Sequence, residues 1–362
     1  MNKWVKRILL AFAAMVLLLF LVNAMGILLD GINAGPPVDE AGQIARSVKE
    51  LHERLPGWQK IAQMPLFADM GKLMMVDGSR QTVPLTAELL RQFYDVTDES
   101  LDRRAAQEGG TQEWWRIIAH SGTQEAYRCL AKGYSRSSAA DGDSKWGQES
   151  VQILFVTAPA AELLAEADPE QYLNFAPEMT PIAKDALVFI THKDNPVESL
   201  SAAQIRQIYN GEISNWQAVG GADAAIAPQS RPEYTDSARD MNRIVMQGKP
   251  LYTGGLGGCP DSMAELIYQV ESDREGSFGI GYTYAYYVSH LHKSANIKIL
   301  NVNGVSPENE NLRSGKYPFA IDYCAVIRKS EPKSSDARML LDYLLSEEGQ
   351  KIVEMAGYCP VK

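Results

Sequence analysis

Three short segments of the sequence combine hydroxyl side chains and glycine or arginine with the expected start of a helix. They are residues 77–82, 121–123 and 231–237. Helix N-termini present unpaired N–H groups and a partial positive charge, so three such turns brought together would bind a dehydrated oxyanion. N-capping by each hydroxyl is the alternative interpretation. The candidate ligand residues in these turns are Gly78, Ser79, Arg80, Ser121, Gly122, Thr123, Arg231, Thr235 and Ser237.

Regular elements must position these turns. Apolar runs at residues 72–76, 151–156 and 186–190 predict buried strands. Helical patterns follow each turn, the first opening near Pro84. Because strands and helices alternate along most of the chain, we expect an α/β fold with mainly parallel sheets.

Two further helices carry clear boundary signals. Ser201 and Gln204 have the spacing of a capping box, and Gly211 marks the end of that helix. Near the C-terminus, Ser346 is placed to cap a helix that runs toward Gly357.

The familiar catalytic and metal-binding motifs are absent from the sequence. There is no GxSxG elbow, Walker A loop, HExxH motif or EF-hand loop. The five histidines and four cysteines show no metal-ligand spacing. We therefore expect a binding protein rather than an enzyme, with no cofactor, and an extracytoplasmic hydrolase is a weak third alternative.

The chain has 362 residues and a net charge of −10, which bounds both its size and its partners. That length suggests about two domains. An acidic balance argues against nucleic-acid binding, which needs a basic surface. Binding of a small anion remains possible because it depends on local rather than net charge.

The N-terminus predicts a membrane-directed segment. Lys3, Lys6 and Arg7 precede an uncharged run over residues 8–29, long enough to cross a bilayer. Residues 1–29 are either a signal anchor or a signal peptide cleaved after residues 22–24. In both interpretations the rest of the chain lies outside the cytoplasm, anchored to the membrane or secreted.

Two polar segments and the cysteines complete the organisation. Residues 30–66 are predicted to be a stalk, and residues 134–150 a polar loop. An extracytoplasmic location permits disulfides, so one bridge and buried free thiols are both open. The cysteines are Cys129, Cys259, Cys324 and Cys359.

Several stretches resemble one family, the PstS-like phosphate-binding receptors of ABC uptake systems. The longest is LSAAQIRQIYNGEISNWQAVGG at residues 200–221. Residues 180–189 and 280–284 resemble the segments around it, and residues 344–353 and 356–361 resemble the family's C-terminal end. The resemblance covers roughly residues 72–362.

This resemblance implies a type II periplasmic-binding-protein fold, in which two α/β lobes hold ligand in the cleft between them. Lobe 1 would comprise residues 68–185 and 288–362, and lobe 2 residues 186–287. Two crossover strands, near residues 186–191 and 279–287, would join them. The three turns fall at the family's ligand-contact positions, and Thr157 takes the place of a carboxylate that commonly accepts the phosphate proton.

The sequence departs from the family pattern within the turns. Arg80 replaces a small hydroxyl residue, while Tyr234 and Asp236 replace glycines. Asp236 brings negative charge to an anion pocket unless Arg231 or Arg80 pairs with it. We therefore expect a receptor for phosphate or a similar oxyanion, with an ABC transporter permease as partner in uptake or with a sensing role. The alternative is a receptor-like interaction module whose degenerate site no longer binds phosphate.

Overall fold

The computed structural model describes residues 60–62, 66–67, 70–94, 96, 120–133, 150–157, 177–252, 257–272 and 277–362. The expected N-terminal segment at residues 1–29, most of the expected stalk and nearly all of the polar loop at residues 134–150 lie outside the described residues. Within the described ranges, no helix has both the length and the apolar character needed to cross a membrane.

Strands and helices alternate along the described chain. The strands are β1 (Val76–Gly78), β2 (Ile153–Thr157), β3 (Pro177–His192), β4 (Ser199–Leu200), β5 (Ala225–Pro228), β6 (Ser277–Tyr284), β7 (Ile297–Val302), β8 (Ala320–Arg328) and β9 (Cys359–Pro360). The α-helices are α1 (Val83–Phe93), α2 (Thr123–Lys132), α3 (Ala202–Tyr209), α4 (Asp236–Asp240), α5 (Met263–Glu271), α6 (Asn309–Arg313), α7 (Asp336–Leu344) and α8 (Glu347–Met355). Shorter 3₁₀ segments are Met70–Met75, Arg80–Thr82 and Trp216–Val219, and π-helical turns are Met241–Met246 and Tyr287–Leu291.

The described strands form one mixed sheet with the order β1-β2-β8-β3-β6-β5. Strands β1–β2, β4–β7 and β5–β6 pair in parallel. Strand β8 runs antiparallel to both β2 and β3, and β3 is also antiparallel to β6, β7 and β9. The prediction of mainly parallel sheets was therefore wrong. Alternation of strands and helices does not encode the direction in which a late strand such as β8 enters the sheet.

Strand β3 is 16 residues long and is shared by two parts of the sheet. Up to Ala186 it pairs with β8, and from Leu187 it pairs with β6. The carboxylate of Asp185 lies at this change of partner. Its Oδ1 accepts hydrogen bonds from the N–H groups of Ala186 (2.7 Å) and Tyr286 (3.0 Å), and its Oδ2 accepts one from the Tyr323 hydroxyl (3.2 Å).

Burial raises the pKa of Asp185 to about 7, although all three hydrogen bonds act to lower it. The side chain is almost fully buried. Because Tyr286 follows β6, the carboxylate joins β3 to the chain that leaves β6.

Most of the locally predicted elements are confirmed. Strand β2 covers residues 153–156 of the predicted run 151–156, and β3 covers the whole predicted run 186–190. Both hydrogen bonds of the Ser201–Gln204 capping box are formed. The Ser346 hydroxyl accepts a hydrogen bond from the Gly349 N–H at the start of α8.

The predicted strand at residues 72–76 was wrong. That run is the 3₁₀ segment Met70–Met75, and only Val76 enters β1. Leu73, Met75 and Val76 are all buried. A short apolar run satisfies burial equally well as a helical turn or as a strand, so the pattern could not separate the two.

Candidate functional site

The first turn follows β1 and lies against β2. The Ser79 N–H donates to the Phe155 carbonyl (3.0 Å), and a Cβ on Gly78 would lie only 2.0 Å from that same oxygen. Only glycine therefore fits at residue 78. Ser79 is fully buried, and its hydroxyl has no hydrogen-bond partner among the described residues. Arg80 begins the 3₁₀ turn and is exposed.

The second turn is fixed to the first by Asp77. Its Oδ1 accepts from the N–H groups of Gly78 and Ser121 (both 2.8 Å), and its Oδ2 accepts from the Ser121 hydroxyl (2.6 Å). The Gly122 N–H donates to the Gly78 carbonyl (3.1 Å). Because the Ser121 proton is directed to Asp77, it is not available to an anion in this arrangement.

His120 adds a second link that the sequence patterns did not single out. The buried ring has Nδ1 3.0 Å from the Ser79 carbonyl and Nε2 3.1 Å from the Thr86 hydroxyl. The tautomer that fits this network donates from Nδ1 and accepts at Nε2. His120 thus joins the second turn to both the first turn and α1.

The third loop caps α4 with Thr235. The Thr235 hydroxyl accepts from the Ala238 N–H (3.4 Å) and donates to the Pro232 carbonyl (2.8 Å). Thr235 therefore shows the capping role that was the alternative interpretation. Ser237 is buried, and its hydroxyl has no hydrogen-bond partner within the described part of the chain. The helix that follows this turn is α-helical only over Asp236–Asp240 and continues as the π-helical turn Met241–Met246.

Arg231 is buried between β6 and the loop at residues 257–260. Its backbone N–H donates to the Tyr282 hydroxyl (2.9 Å), and its Nη1 donates to the Pro260 carbonyl (3.0 Å). The adjacent Cys259 is exposed, whereas the other three cysteines are buried. All four are free thiols, so the structure favours the interpretation without a disulfide.

One hydrogen bond joins the second turn to the third loop. The Thr123 hydroxyl donates to Oδ2 of Asp236 (2.7 Å), and Oδ1 of Asp236 lies 3.6 Å from Nη1 of Arg239. Burial raises the pKa of Asp236, and the negative charge of Asp240 acts in the same direction. The Thr123 hydrogen bond and the Arg239 charge oppose that rise.

These contacts bring together residues far apart in the sequence. Gly78 contacts Gly122, and the next residue, Thr123, contacts Asp236. Ser79 follows Gly78 in the chain, and Ser237 follows Asp236. Arg231 lies in the loop that leads into α4, which begins at Asp236. Thr157 is buried at the end of β2, opposite Tyr323 of β8.

Tyr127 is a second residue that the sequence patterns did not single out. It lies four residues after Thr123 on α2, and helical side chains lean toward the N-terminus, so it shares a face with Thr123. The ring is buried, and its hydroxyl has no hydrogen-bond partner in the described ranges. Burial, Cys324 and Asp236 together raise the Tyr127 pKa well above its ordinary value. The spacing of four residues between Thr123 and Tyr127 is the sequence feature that could have predicted that both lie on the same helix face.

The described residues contain no group of three or more His, Cys, Asp or Glu side chains that could hold a metal ion. What the geometry provides is a set of hydroxyl groups around the start of α2, with an arginine and a carboxylate on a facing loop. Loops gathered at the edge of an α/β sheet are a preferred position for a small-molecule binding site, so the geometry indicates a binding protein for a small polar solute.

Comparison with known families agrees with this class. The family described as "PBP superfamily domain" matches residues 118–348, which is more than half of the chain. The chain therefore belongs to the PBP superfamily, and the resemblance stated from the sequence is confirmed.

Curated relatives carry names that specify phosphate. The chain is 31% identical over 191 residues to the phosphate-binding protein PstS of Borreliella burgdorferi, covering 51% of this chain and 66% of that protein. It is 28% identical over 181 residues to PstS of Bacillus subtilis, covering 50% and 56%. The chain thus spans between about half and two thirds of the length of these two relatives.

Solved structures share the fold. A phosphate ABC transporter substrate-binding protein from Clostridium perfringens, solved with bound phosphate, has a TM-score of 0.53 and 22% identity, covering 79% of this chain and 98% of that chain. An ABC-type phosphate transport receptor from Vibrio cholerae has a TM-score of 0.52 and 17% identity, covering 78% and 98%. At these identities the likeness establishes the mixed α/β fold of this class.

Proposed function

We propose that this protein is an extracytoplasmic solute-binding protein that captures phosphate for an ABC transporter. The observation that carries the proposal is the pair of buried hydroxyls of Ser79 and Ser237, which lack hydrogen-bond partners among the described residues. A buried polar group left in that state costs about 1–3 kcal/mol. An oxyanion between the first turn and the third loop would accept hydrogen bonds from both.

The start of α2 supplies the main electrostatic contribution to this binding. Its first-turn N–H groups would donate to an anion at the helix N-terminus. The Thr123 hydroxyl, which donates to Asp236 in this structure, would turn to the same anion. Arg231 contributes a buried guanidinium, which can turn from the Pro260 carbonyl to hold a phosphate oxygen. Gly78, Gly122, Arg80, Ser121, Thr157 and Thr235 complete the proposed set of contacting and supporting residues.

The shared strand β3 and the end of β6 suit a hinge. We propose that residues 68–185 with 288–362, and residues 186–287, form two lobes that close on the ligand. Both crossovers pass through this part of the sheet, and the Asp185 carboxylate joins them. Ligand that contacts both lobes would favour the closed state by its differential affinity.

The remaining features of the proposal come from the sequence and the family. The N-terminal segment at residues 8–29 would place the binding domain outside the cytoplasm, as an anchor or a cleaved signal. The partner would be an ABC transporter permease. The function is binding without catalysis, and no cofactor is required.

Calorimetry on the full-length chain tests the proposal. We expect phosphate to bind with measurable heat, and Arg231→Ala to weaken binding about 100-fold because it removes the buried cation. Arg313→Ala is the matched control, since Arg313 is exposed on α6. Absence of heat with phosphate would support the interaction-module alternative, and equal binding by both variants would remove Arg231 from the site.

A further inference from the structure

The carboxylate of Asp236 lies at the hydroxyl that begins α2. Thr123 is the first residue of this ten-residue helix, and its hydroxyl donates to Asp236 over 2.7 Å although 113 residues separate the two in sequence. The side chain of Asp236 is only 13% exposed. A carboxyl group of the protein itself thus occupies a donor that the proposed function assigns to the ligand.

We propose that Asp236 is a specificity-determining residue that competes, as a tethered anion, with phosphate for Thr123. The inference rests on the proposed function. A phosphate oxygen that reaches the Thr123 hydroxyl must displace Oδ2 of Asp236, because one hydroxyl has one proton to donate. An ionised carboxylate that stays nearby would repel the ligand in these buried surroundings.

The groups around Asp236 come from three elements. Thr123 and Tyr127 face it from α2, Tyr284 from β6, and Asp240 and Arg239 from its own helix. Arg239 is the cation that contacts Asp236 directly, at 3.6 Å. Burial and Asp240 favour the neutral acid, whereas Thr123 and Arg239 favour the carboxylate.

This balance gives the competition a dependence on pH. A bound anion adds negative charge beside Asp236, so it favours the protonated acid more strongly than the free site does. By linkage, phosphate binding then takes up a proton at Asp236, and the affinity falls as the pH rises. A neutral side chain at residue 236 would remove both the competition and the proton uptake.

Calorimetry of phosphate binding at pH 8 to the full-length protein tests this inference. Titrations in two buffers with different heats of protonation give the number of protons taken up. We expect Asp236→Asn to bind phosphate about ten-fold more tightly than the wild type and to take up fewer protons. Glu233→Gln is the matched control: it removes the same charge from an exposed position in the same loop, and we expect wild-type behaviour.

The outcomes separate the inference from the function on which it rests. Weaker or unchanged binding by Asp236→Asn, with the wild type binding phosphate, would overturn the inference alone. Tight binding by Asp236→Asn when the wild type shows no heat would support it. Absence of heat with every variant would overturn both. Asp236→Ala, checked by circular dichroism, decides the question if the asparagine variant does not fold.

Discussion

The first two turns of the site and the third loop are held in different ways. Asp77 accepts three hydrogen bonds from the first two turns, two of them from backbone N–H groups. His120 bridges the same two turns. The third loop reaches them through the Thr123–Asp236 hydrogen bond, in which a single hydroxyl is the donor.

This difference distinguishes a carboxylate that supports the turns, Asp77, from one whose hydrogen bond a ligand can replace, Asp236. Backbone donors cannot rotate away, so Asp77 makes the first two turns one rigid unit. A threonine hydroxyl can turn to another acceptor at little cost. The third loop is therefore the side of the site that we expect to rearrange when ligand binds.

The largest expected effect on stability comes from Gly78→Ala, which changes the backbone packing of the first turn. A Cβ would lie 2.0 Å from the Phe155 carbonyl oxygen, so the backbone must shift. We expect the free energy of unfolding to fall by more than about 4 kcal/mol in a denaturant titration. Gly122→Ala is the control, because its added Cβ meets nothing within 4 Å and only the positive φ of 94° is strained. Its cost should be about 1–2 kcal/mol, and equal losses for the two variants would contradict the argument.

Asp77→Ala should be next in size. It leaves the N–H groups of the buried Gly78 and of Ser121 without their acceptor, and we expect a loss of about 3 kcal/mol of unfolding free energy. Asp322→Ala is the comparison, since Asp322 pairs with Lys184 in a partly exposed salt bridge. Such a pair contributes about 0–1 kcal/mol. A comparable loss in both variants would show that Asp77 has no special supporting role.

Asp185 gives a prediction about pH. Its folded pKa of about 7 lies above the value of about 3.9 for an unfolded chain. The folded state therefore holds a proton that the unfolded state releases, and this stabilisation is complete below pH 4 and lost as the pH rises through 7. At pH 8 we expect the free energy of unfolding of Asp185→Asn to exceed that of the wild type by about 2 kcal/mol. The full pKa shift, at about 1.36 kcal/mol per pKa unit, would give more, but the amide fits the surrounding donors less well than the protonated acid.

Urea titrations from pH 4 to pH 8 measure this effect. The unfolding free energy of the wild type should decline more steeply across that range than that of the variant. Parallel pH profiles for the two proteins would show that Asp185 is ionised throughout.

The smallest effect on stability is expected from Ser79→Ala. Its hydroxyl has no hydrogen-bond partner among the described residues, so removing it should change the unfolding free energy by less than about 1 kcal/mol. Phosphate binding should nevertheless weaken about ten-fold, the effect of one lost hydrogen bond. Thr82→Val should show the opposite pattern, because the Thr82 hydroxyl lies 2.8 Å from both the Ser79 and the Phe155 carbonyl oxygens and shares its one proton between them. Loss of stability without loss of binding in Ser79→Ala would remove this serine from the site.

Local features of the fold could be predicted from the sequence, whereas pairings could not. The Ser201 and Ser346 caps depend on residues three positions apart, and both are present. Thr123 and Asp236 were each singled out, but the hydrogen bond between them spans 113 residues. Asp77 and Ser121 are likewise 44 residues apart. The direction of β8 in the sheet depends on tertiary packing for the same reason.

The exposed Cys259 has a practical consequence. Burial raises the pKa of Cys324 to about 12 and also raises that of Cys359, so these thiols resist alkylation at neutral pH. Cys129 is buried as well, which leaves Cys259 as the accessible thiol, next to the Pro260 carbonyl that Arg231 contacts. A maleimide dye could be attached to this thiol without any mutation. Its emission would then report phosphate binding, because the Arg231 guanidinium would leave the neighbouring Pro260 carbonyl to contact the anion.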